Sequence, residues 1–304
     1  MLNIAVKAAR RAGSIINRAA LEGGALEVKA KNKNDFVTQV DKAAEQAILG
    51  VIRAAYPDHS VLAEESGDAP GARPEYLWVI DPLDGTTNYI HGFPQYCVSI
   101  ALEVDGRLEV AVVYDPMADE LFTAERGGGA RLNGRPLARS GTSALGDALL
   151  CTGFPYTIHE RRGHQLDVFA AFLSQARAVR RLGSAALDLC YVAAGRFDGF
   201  WEEHLHPWDM AAGILIVQEA GGRVSRYDDS PCSLTGGQIV ASNGALHDAM
   251  LVVIRSADPQ GGAESCARTV LAFATARALG ILPSVESQSP RSIRNRRSKN
   301  GSKR

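Results

Sequence analysis

Leu77-Trp78-Val79-Ile80-Asp81-Pro82-Leu83-Asp84-Gly85-Thr86-Thr87-Asn88 carries an apolar run straight into two carboxylates and a glycine–threonine turn. A short apolar run bounded by Pro and Gly reads as a buried strand entering a turn. Such a turn offers oxygen ligands beside backbone N–H groups able to face an anion, so metal and phosphate could meet there. An isolated D-x-x-D-G has a plainer explanation, a surface turn in which Gly supplies an unusual backbone angle. The rest of the chain decides between the two.

Pro207-Trp208-Asp209-Met210-Ala211-Ala212-Gly213-Ile214 opens a helix-like stretch that runs to Glu219-Ala220-Gly221-Gly222, with one acid in the first turn. By itself an Asp there caps the helix or complements its dipole. Leu62-Ala63-Glu64-Glu65-Ser66-Gly67 places two glutamates after an apolar pair, where acids ordinarily face solvent. Asp35-Phe36-Val37-Thr38-Gln39-Val40-Asp41 and Gly183-Ser184-Ala185-Ala186-Leu187-Asp188-Leu189 complete the set. In this order, from about Leu2 to about Ile254, the pieces resemble the inositol monophosphatase family of magnesium-dependent, lithium-sensitive sugar-phosphate phosphatases. Val112-Val113-Tyr114-Asp115-Pro116-Met117 and His206-Pro207-Trp208-Asp209 look most like its bacterial inositol-1-monophosphatase branch.

The resemblance implies an α/β fold of stacked helix and sheet layers, αβαβα, with the site in the cleft between two halves. It implies two or three Mg²⁺ held by Glu64, Asp81, Asp84, Asp209 and the backbone carbonyl of Leu83. Hard oxygen donors of this kind suit Mg²⁺ and do not suit zinc or copper. Glu64 and Thr86 are expected to direct the attacking water, with Asp41 bonding the threonine hydroxyl. Gly85 and Thr86 N–H groups would cradle the phosphate, and Ala185, Glu202 and Asp209 would meet the polyol. Four carboxylates gathered without metal repel one another, and some must take up protons. Cations reverse that sign and turn an acidic pocket into an anion receptor. The expected reaction is hydrolysis of myo-inositol 1-phosphate. Fructose 1,6-bisphosphate, histidinol phosphate and a 3′-phosphonucleotide are the alternative substrates that share such a metal core.

At 304 residues, 46% of them hydrophobic, the chain is long enough for one large domain or two ordinary ones. No stretch reaches the roughly 18 apolar residues of a membrane span. The start, Met1-Leu2-Asn3-Ile4, lacks a basic-then-apolar leader pattern, so cytoplasmic residence is the expectation. Five scattered cysteines without a C-x-x-C pair indicate neither a disulfide framework nor a zinc site. His204 and His206 are spaced to share one side of a strand, as a metal pair or as polar residues at a site mouth. Net charge is −1, but Gln288–Arg304 holds seven basic residues and no acid, so the body is acidic and the tail basic. Such a tail cannot bury enough apolar area to fold. It is the one local support for a different class of function, a regulatory partner touching RNA or the transcription machinery. The resemblance also implies a homodimer.

Leu2, Ala5, Ala9, Ala12, Ile16 and Ala19, then Val40, Ala44, Ala47, Ile48, Val51 and Ile52, recur at helical spacing, and Thr38-x-x-Asp41 reads as a cap for the second helix. Between Cys97 and Leu137 short β-rich runs alternate with Asp105-Gly106, Asp115-Pro116, Gly127-Gly128-Gly129 and Asn133-Gly134, which predicts an antiparallel meander. After about Asp147 strands at 148–151, 178–180, 197–201 and 238–241 alternate with helices at 164–175, 184–194, 208–220 and 245–254. The expected organisation is residues 1–146 as a helix pair plus antiparallel sheet, 147–256 as an α/β half, 257–284 as a linker with a last helix at 269–279, and 285–304 as the basic tail. A covalent aspartyl-phosphate mechanism is disfavoured, because its acids stand as D-x-D while Asp81 and Asp84 stand three apart. Gly85-Thr86-Thr87 lacks the Gly-Lys-Ser/Thr ending of a P-loop.

Overall fold

Helix α1 (Leu2–Glu22) buries Ala5, Ala8, Ala9, Ala12 and Ile16, a single apolar stripe at 3–4 spacing. Alanines along that stripe leave room for a second helix to lie close. The hairpin β1 (Val28–Asn32) and β2 (Asp35–Thr38) leads into it, an element that periodicity did not announce. Helix α2 (Gln39–Ala55) then starts at Thr38, whose side chain accepts from Val40 N–H while Asp41 reaches back to Thr38 N–H, a capping box. The computed structural model describes residues 1–22, 28–32, 35–156 and 158–257. The expected helix at 269–279 and the basic tail lie outside the described residues.

An eight-stranded sheet follows, from β3 (His59–Ala63), β4 (Gly67–Ala69) and β5 (Arg73–Asp84) through the short helix α3 (Thr86–Ile90) to the meander. The meander is β6 (Cys97–Val104), β7 (Arg107–Asp115), β8 (Glu120–Glu125), β9 (Gly129–Leu132) and β10 (Arg135–Pro136), in spatial order β10-β9-β8-β7-β6-β5-β3-β4. Every pairing in it is antiparallel except β3 beside β5. Asp105-Gly106 and Asn133-Gly134 sit at its turns with positive φ at all four residues, which is the geometry those dipeptides favour.

Strand β5 does not end at Ile80. It pairs with β6 as Ile80↔Ile100 and Asp81↔Ser99, and then as Asp84↔Cys97. Three steps on β5 oppose two on β6, so one extra residue bulges out at Pro82-Leu83. Residues three apart on a regular strand point to opposite faces, and the bulge returns Asp84 to the face of Asp81. Pro82 has no N–H to give a ladder and is tolerated at such a place. The turn expected at Asp81 therefore comes at Gly85, where φ is +97 and an added Cβ would stand 2.8 Å from the Gln95 carbonyl oxygen.

The second half is built from β11 (Leu149–Thr152), α4 (Ile158–Gln175), β12 (Ala178–Arg180), α5 (Ala185–Ala193), β13 (Gly199–Glu202), α6 (Pro207–Glu219), β14 (Arg223–Ser225), β15 (Ile239–Ser242) and α7 (His247–Ser256). Its five strands run β12-β11-β13-β15-β14, parallel around β11 and antiparallel around β15.

Alternation along the strands defines the layers. Trp78, Ile80, Ile100 and Val112 pack with α1 and α2, whereas Val79, Cys97, Ala101 and Val113 pack with α5 and α6. The latter cluster continues into Cys151, Phe200 and Ala241 of the second sheet, whose other face carries Leu150, Trp201 and Val240 against Phe172 of α4 and Met250 of α7. Helix, sheet, helix, sheet, helix is the observed order. A helix between two sheets must be apolar all round, and α6 buries every residue from Met210 to Val217. Its small residues serve that position: an added Cβ on Gly213 would meet Leu189 Cδ1 of α5 at 2.4 Å. The W-D-M-A-A-G motif is thus a thin helix whose start carries an acid.

Candidate active site

One cleft of about 970 Å³ opens where the bulged end of β5, the start of α5, the end of β13 and the start of α6 meet. Glu64, Asp81, Leu83, Asp84, Gly85, Thr86, Ala185, Glu202 and Asp209 all line it. Asp41 lies just behind, fully buried. The ten residues singled out from the sequence are therefore brought to one place from six separate stretches of chain.

Each carboxylate is held differently. Asp81 Oδ1 accepts from Leu83 N–H at 2.9 Å, across the bulge itself. Asp84 Oδ2 accepts from Ser184 Oγ at 2.7 Å and Ala186 N–H at 2.8 Å, so the start of α5 grips the end of β5. Asp209 Oδ2 accepts from His206 N–H at 2.7 Å as the third residue of α6, where Pro207 at the first position gives up no needed donor. Glu64 continues the β3–β5 pairing through its N–H to Ile80 O at 3.1 Å. Next to it, Glu65 N–H donates to Glu45 Oε2 at 2.8 Å, and Glu45 is buried on α2. The Thr86 hydroxyl lies 3.0 Å from Asp41 Oδ1 and 3.1 Å from Leu83 O.

Electrostatically the cleft is under strain. Burial first, and then Glu64, Asp84 and Asp209, push the Asp81 carboxyl well above the usual carboxylate range. Burial and then Asp84 do the same to Asp209. Burial raises Asp84 too, although hydrogen bonds from Ser184 and Ala186 oppose the rise. Burial pushes Glu202 up to about 8, with Arg181 opposing.

A hard divalent cation is the ligand that such a set fits by chemistry: carboxylate oxygens, one exposed face and unrelieved mutual repulsion. Among the described residues no three His, Cys, Asp or Glu side chains already stand at chelating spacing. Glu64, Asp81, Asp84, Asp209 and the Leu83 carbonyl are the oxygens in the cleft that could hold such a cation.

The family model described as the inositol monophosphatase family matches residues 1–258. This chain belongs to that family. A Pseudomonas aeruginosa relative called Nus factor SuhB is 51% identical over 259 residues, covering 84% of this chain and 96% of its own. Among solved structures, the extragenic suppressor protein SuhB of Bartonella henselae is 41% identical with a TM-score of 0.81, covering 83% of this chain and 97% of that one. The inositol monophosphatase of Anabaena is 43% identical with a TM-score of 0.77, covering 85% and 96%.

In this member of the inositol monophosphatase family, His204 and His206 are not on a strand. Both line the cleft from the loop between β13 and α6, where His204 takes φ +62 and breaks the extended run. His206 stacks on Trp208 with ring centres 4.8 Å apart. Three residues at or near the site had no role assigned from the sequence. Ser184 holds Asp84. Asn88 Nδ2 reaches Gln95 O at 2.7 Å, Leu182 O at 2.9 Å and Gly183 O at 3.3 Å, tying the β5–α3 turn to the start of α5. Gly153 leaves space for Glu202, since an added Cβ would fall 2.1 Å from its carboxylate. Asn88 and Ser184 stood inside stretches already quoted, and their polarity beside apolar runs was the available signal.

No helix among the described residues is long and apolar enough to cross a membrane. Cys97, Cys151, Cys190 and Cys232 are free thiols, the first three buried, and Cys266 lies outside the described residues.

Proposed function

We propose that this protein is a Mg²⁺-dependent phosphomonoesterase that hydrolyses myo-inositol 1-phosphate by activated water. The observation that carries the reading is the convergence of Glu64, Asp81, Asp84 and Asp209 on one cleft, with Asp81 driven toward protonation by burial and then by the other three. Membership of the inositol monophosphatase family supports it.

Phosphate monoesters resist hydrolysis unless the phosphoryl oxygens are neutralised, a hydroxide equivalent is made near neutral pH and the departing alkoxide is stabilised. Mg²⁺, two or three ions per site, supplies that charge when held by Glu64, Asp81, Asp84, Asp209 and the Leu83 carbonyl. The chain's own groups do the rest. Asp41 accepts the Thr86 hydroxyl proton, which leaves a Thr86 lone pair facing the cleft to accept from a water. Glu64, half-buried on the same wall, takes that water's second proton. Gly85 and Thr86 at the start of α3 place backbone N–H groups beside the phosphate. Glu202, Ala185 and Asp209 meet the polyol from the second half. The leaving alkoxide is reprotonated by solvent, so no protein nucleophile is needed.

A parallel assay of inositol 1-phosphate, fructose 1,6-bisphosphate, histidinol phosphate and a 3′-phosphonucleotide, with and without Mg²⁺ and Li⁺, tests this. Inositol 1-phosphate is expected to give the highest kcat/KM, with turnover lost in chelator and reduced by Li⁺. A tenfold preference for histidinol phosphate would replace the substrate, and undiminished turnover in chelator would remove the mechanism.

A second reading is favoured by one specific finding, the Nus factor name borne by the 51% identical Pseudomonas relative. On that reading the chain also acts as a partner of the transcription machinery, with the basic tail as its contact to RNA. Binding that survives Asp84→Asn and disappears on deletion of residues 288–304 supports it. Absence of RNA binding at low salt rules it out.

A further inference from the structure

The floor of the cleft contains a carboxyl group that the proposed chemistry does not use. Asp188 sits one turn into α5, its N–H bonded to Ser184 O, and α5 lies against β11 and β13. The residue is 1% exposed, lines the cleft, and keeps its Oδ1 out of solvent with no hydrogen-bond partner. Every other residue from Ala185 to Cys190 is apolar, so folding alone would favour an apolar side chain here. A buried oxygen left unpaired forfeits the hydrogen bonds it had in water, typically at a cost of about 1–3 kcal/mol. Groups left so in native proteins are usually waiting for water or ligand.

Its surroundings say what kind of ligand. The charged groups whose fields act on it are Glu202, Asp84 and Arg181. Burial first, then Glu202 and Asp84, raise the Asp188 carboxyl well above its ordinary range. A neutral carboxyl offers one donor and one acceptor, which is the complement of an alcohol. An anion there would be repelled by Glu202 and Asp84. Ser184, one turn before Asp188 on the same face of α5, holds Asp84, so a group on Asp188 sits about one helical pitch, ~5.4 Å, from the phosphate-handling edge. Gly153 keeps the opposite wall open for the Glu202 carboxylate.

We propose that Asp188 is a substrate-contact residue, pairing with Glu202 to hold neighbouring hydroxyls of a polyol phosphate on the floor of the cleft. The inference rests on the phosphatase reading above and deepens it by assigning the polyol's second anchor.

The test uses Asp188→Leu and Asp188→Asn in the full chain with Mg²⁺, measuring kcat and KM on inositol 1-phosphate and on p-nitrophenyl phosphate, which has no ring hydroxyls, together with thermal melts. Asp188→Leu removes an unpaired polar group, so its melting temperature should equal or exceed wild type. Its kcat/KM ratio of inositol 1-phosphate to p-nitrophenyl phosphate should fall about tenfold, mostly through KM, as expected for losing a hydrogen bond to a buried carboxyl. Asp188→Asn keeps one donor and one acceptor and should recover the ratio to within about threefold of wild type. A lowered melting temperature with equal losses on both substrates would mean a structural role and overturn the inference. An unchanged ratio in Asp188→Leu would overturn it as well, and would mean that Oδ1 holds only a water. Failure of wild type to hydrolyse either compound is a separate outcome, which overturns the phosphatase reading and this inference with it.

Discussion

The two halves bring acids to the same cleft under opposite conditions. In the first half Asp41 and Asp81 are tied down by donors from their own neighbourhood, Thr38, Thr86 and the bulge N–H of Leu83. In the second half Asp188 Oδ1 is buried without a hydrogen-bond partner among the described residues, and Asp209 Oδ2 accepts one bond, from His206 N–H. Asp84 stands between, anchored on β5 but gripped by Ser184 and Ala186 of α5. A group whose donors are already in place keeps its geometry when a ligand arrives. A group left without donors is held open for the ligand to satisfy. The first half therefore fixes the reacting centre, and the second leaves acceptors for whatever the ester carries.

The sharpest way to break this comparison is to neutralise one acid on each side. Asp84→Asn and Asp209→Asn should each lower phosphatase turnover by about 100-fold or more, as expected when a preorganised charge is removed. Both should still fold, because Asn keeps an oxygen for the Ser184, Ala186 or His206 donor, and repulsion with the other acids is relieved. Wild-type turnover in either variant, read beside its circular dichroism, would refute the assignment.

A pH series separates the halves next. Glu202 is pushed up to about 8 from an ordinary 4.5 by burial, so in metal-free protein the folded state binds its proton more tightly than the unfolded state. That contribution is present in full below about pH 4.5 and is lost as pH rises towards about 8. Asp81 and Asp209 are raised as well and push in the same direction. The melting temperature of chelated protein should thus fall across this window, Mg²⁺ should restore it, and Glu202→Gln should flatten the fall. A slope unaltered in Glu202→Gln would place the burden on the other raised acids, Asp81 and Asp209.

Asn88→Ala tests the seam between halves. It strips three carbonyls of their shared donor, so stability should drop by about 1–3 kcal/mol. Misplacing Ser184 against Asp84 should lower kcat/KM by about tenfold. Denaturant melts alongside kinetics distinguish the two effects. The smallest change is expected from Glu45→Ala, which frees the Glu65 N–H and loosens the loop carrying Glu64. About 1 kcal/mol of stability and a threefold loss in kcat are expected there, with KM little altered.

Much of this was legible beforehand, for reasons that differ by region. The meander could be read because Asp105-Gly106 and Asn133-Gly134 are local turn chemistry, and α1 because its alanines keep helical period. Helix α6 yielded no period at all, being buried on every side, and was found through its motif instead. Strand β5 reads from sequence as ending at Ile80, because Asp81 and Pro82 look like turn residues, whereas register against β6 is a long-range property. Helix α4 begins at Ile158, earlier than the expected 164, within a stretch rich in charge. Within the site, the acids could be placed in one cleft only through the family motifs, since no local pattern links Glu64 to Asp209. Asn88, Ser184 and Glu45 act through partners 7 to 100 positions away, and nothing in their immediate sequence reports such a partner.

The extra residue at Pro82-Leu83 makes the interval between Asp81 and Asp84 a matter of parity. Deleting one residue there, or adding one, would send a carboxylate through the sheet into the apolar layer shared with α1 and α2. A change of two would return it to the right side but displace it along the strand by about 6.8 Å, beyond reach of Ser184. Substitution can therefore drift through the surrounding loops, while insertion and deletion inside this four-residue interval are closed to any descendant that keeps the chemistry.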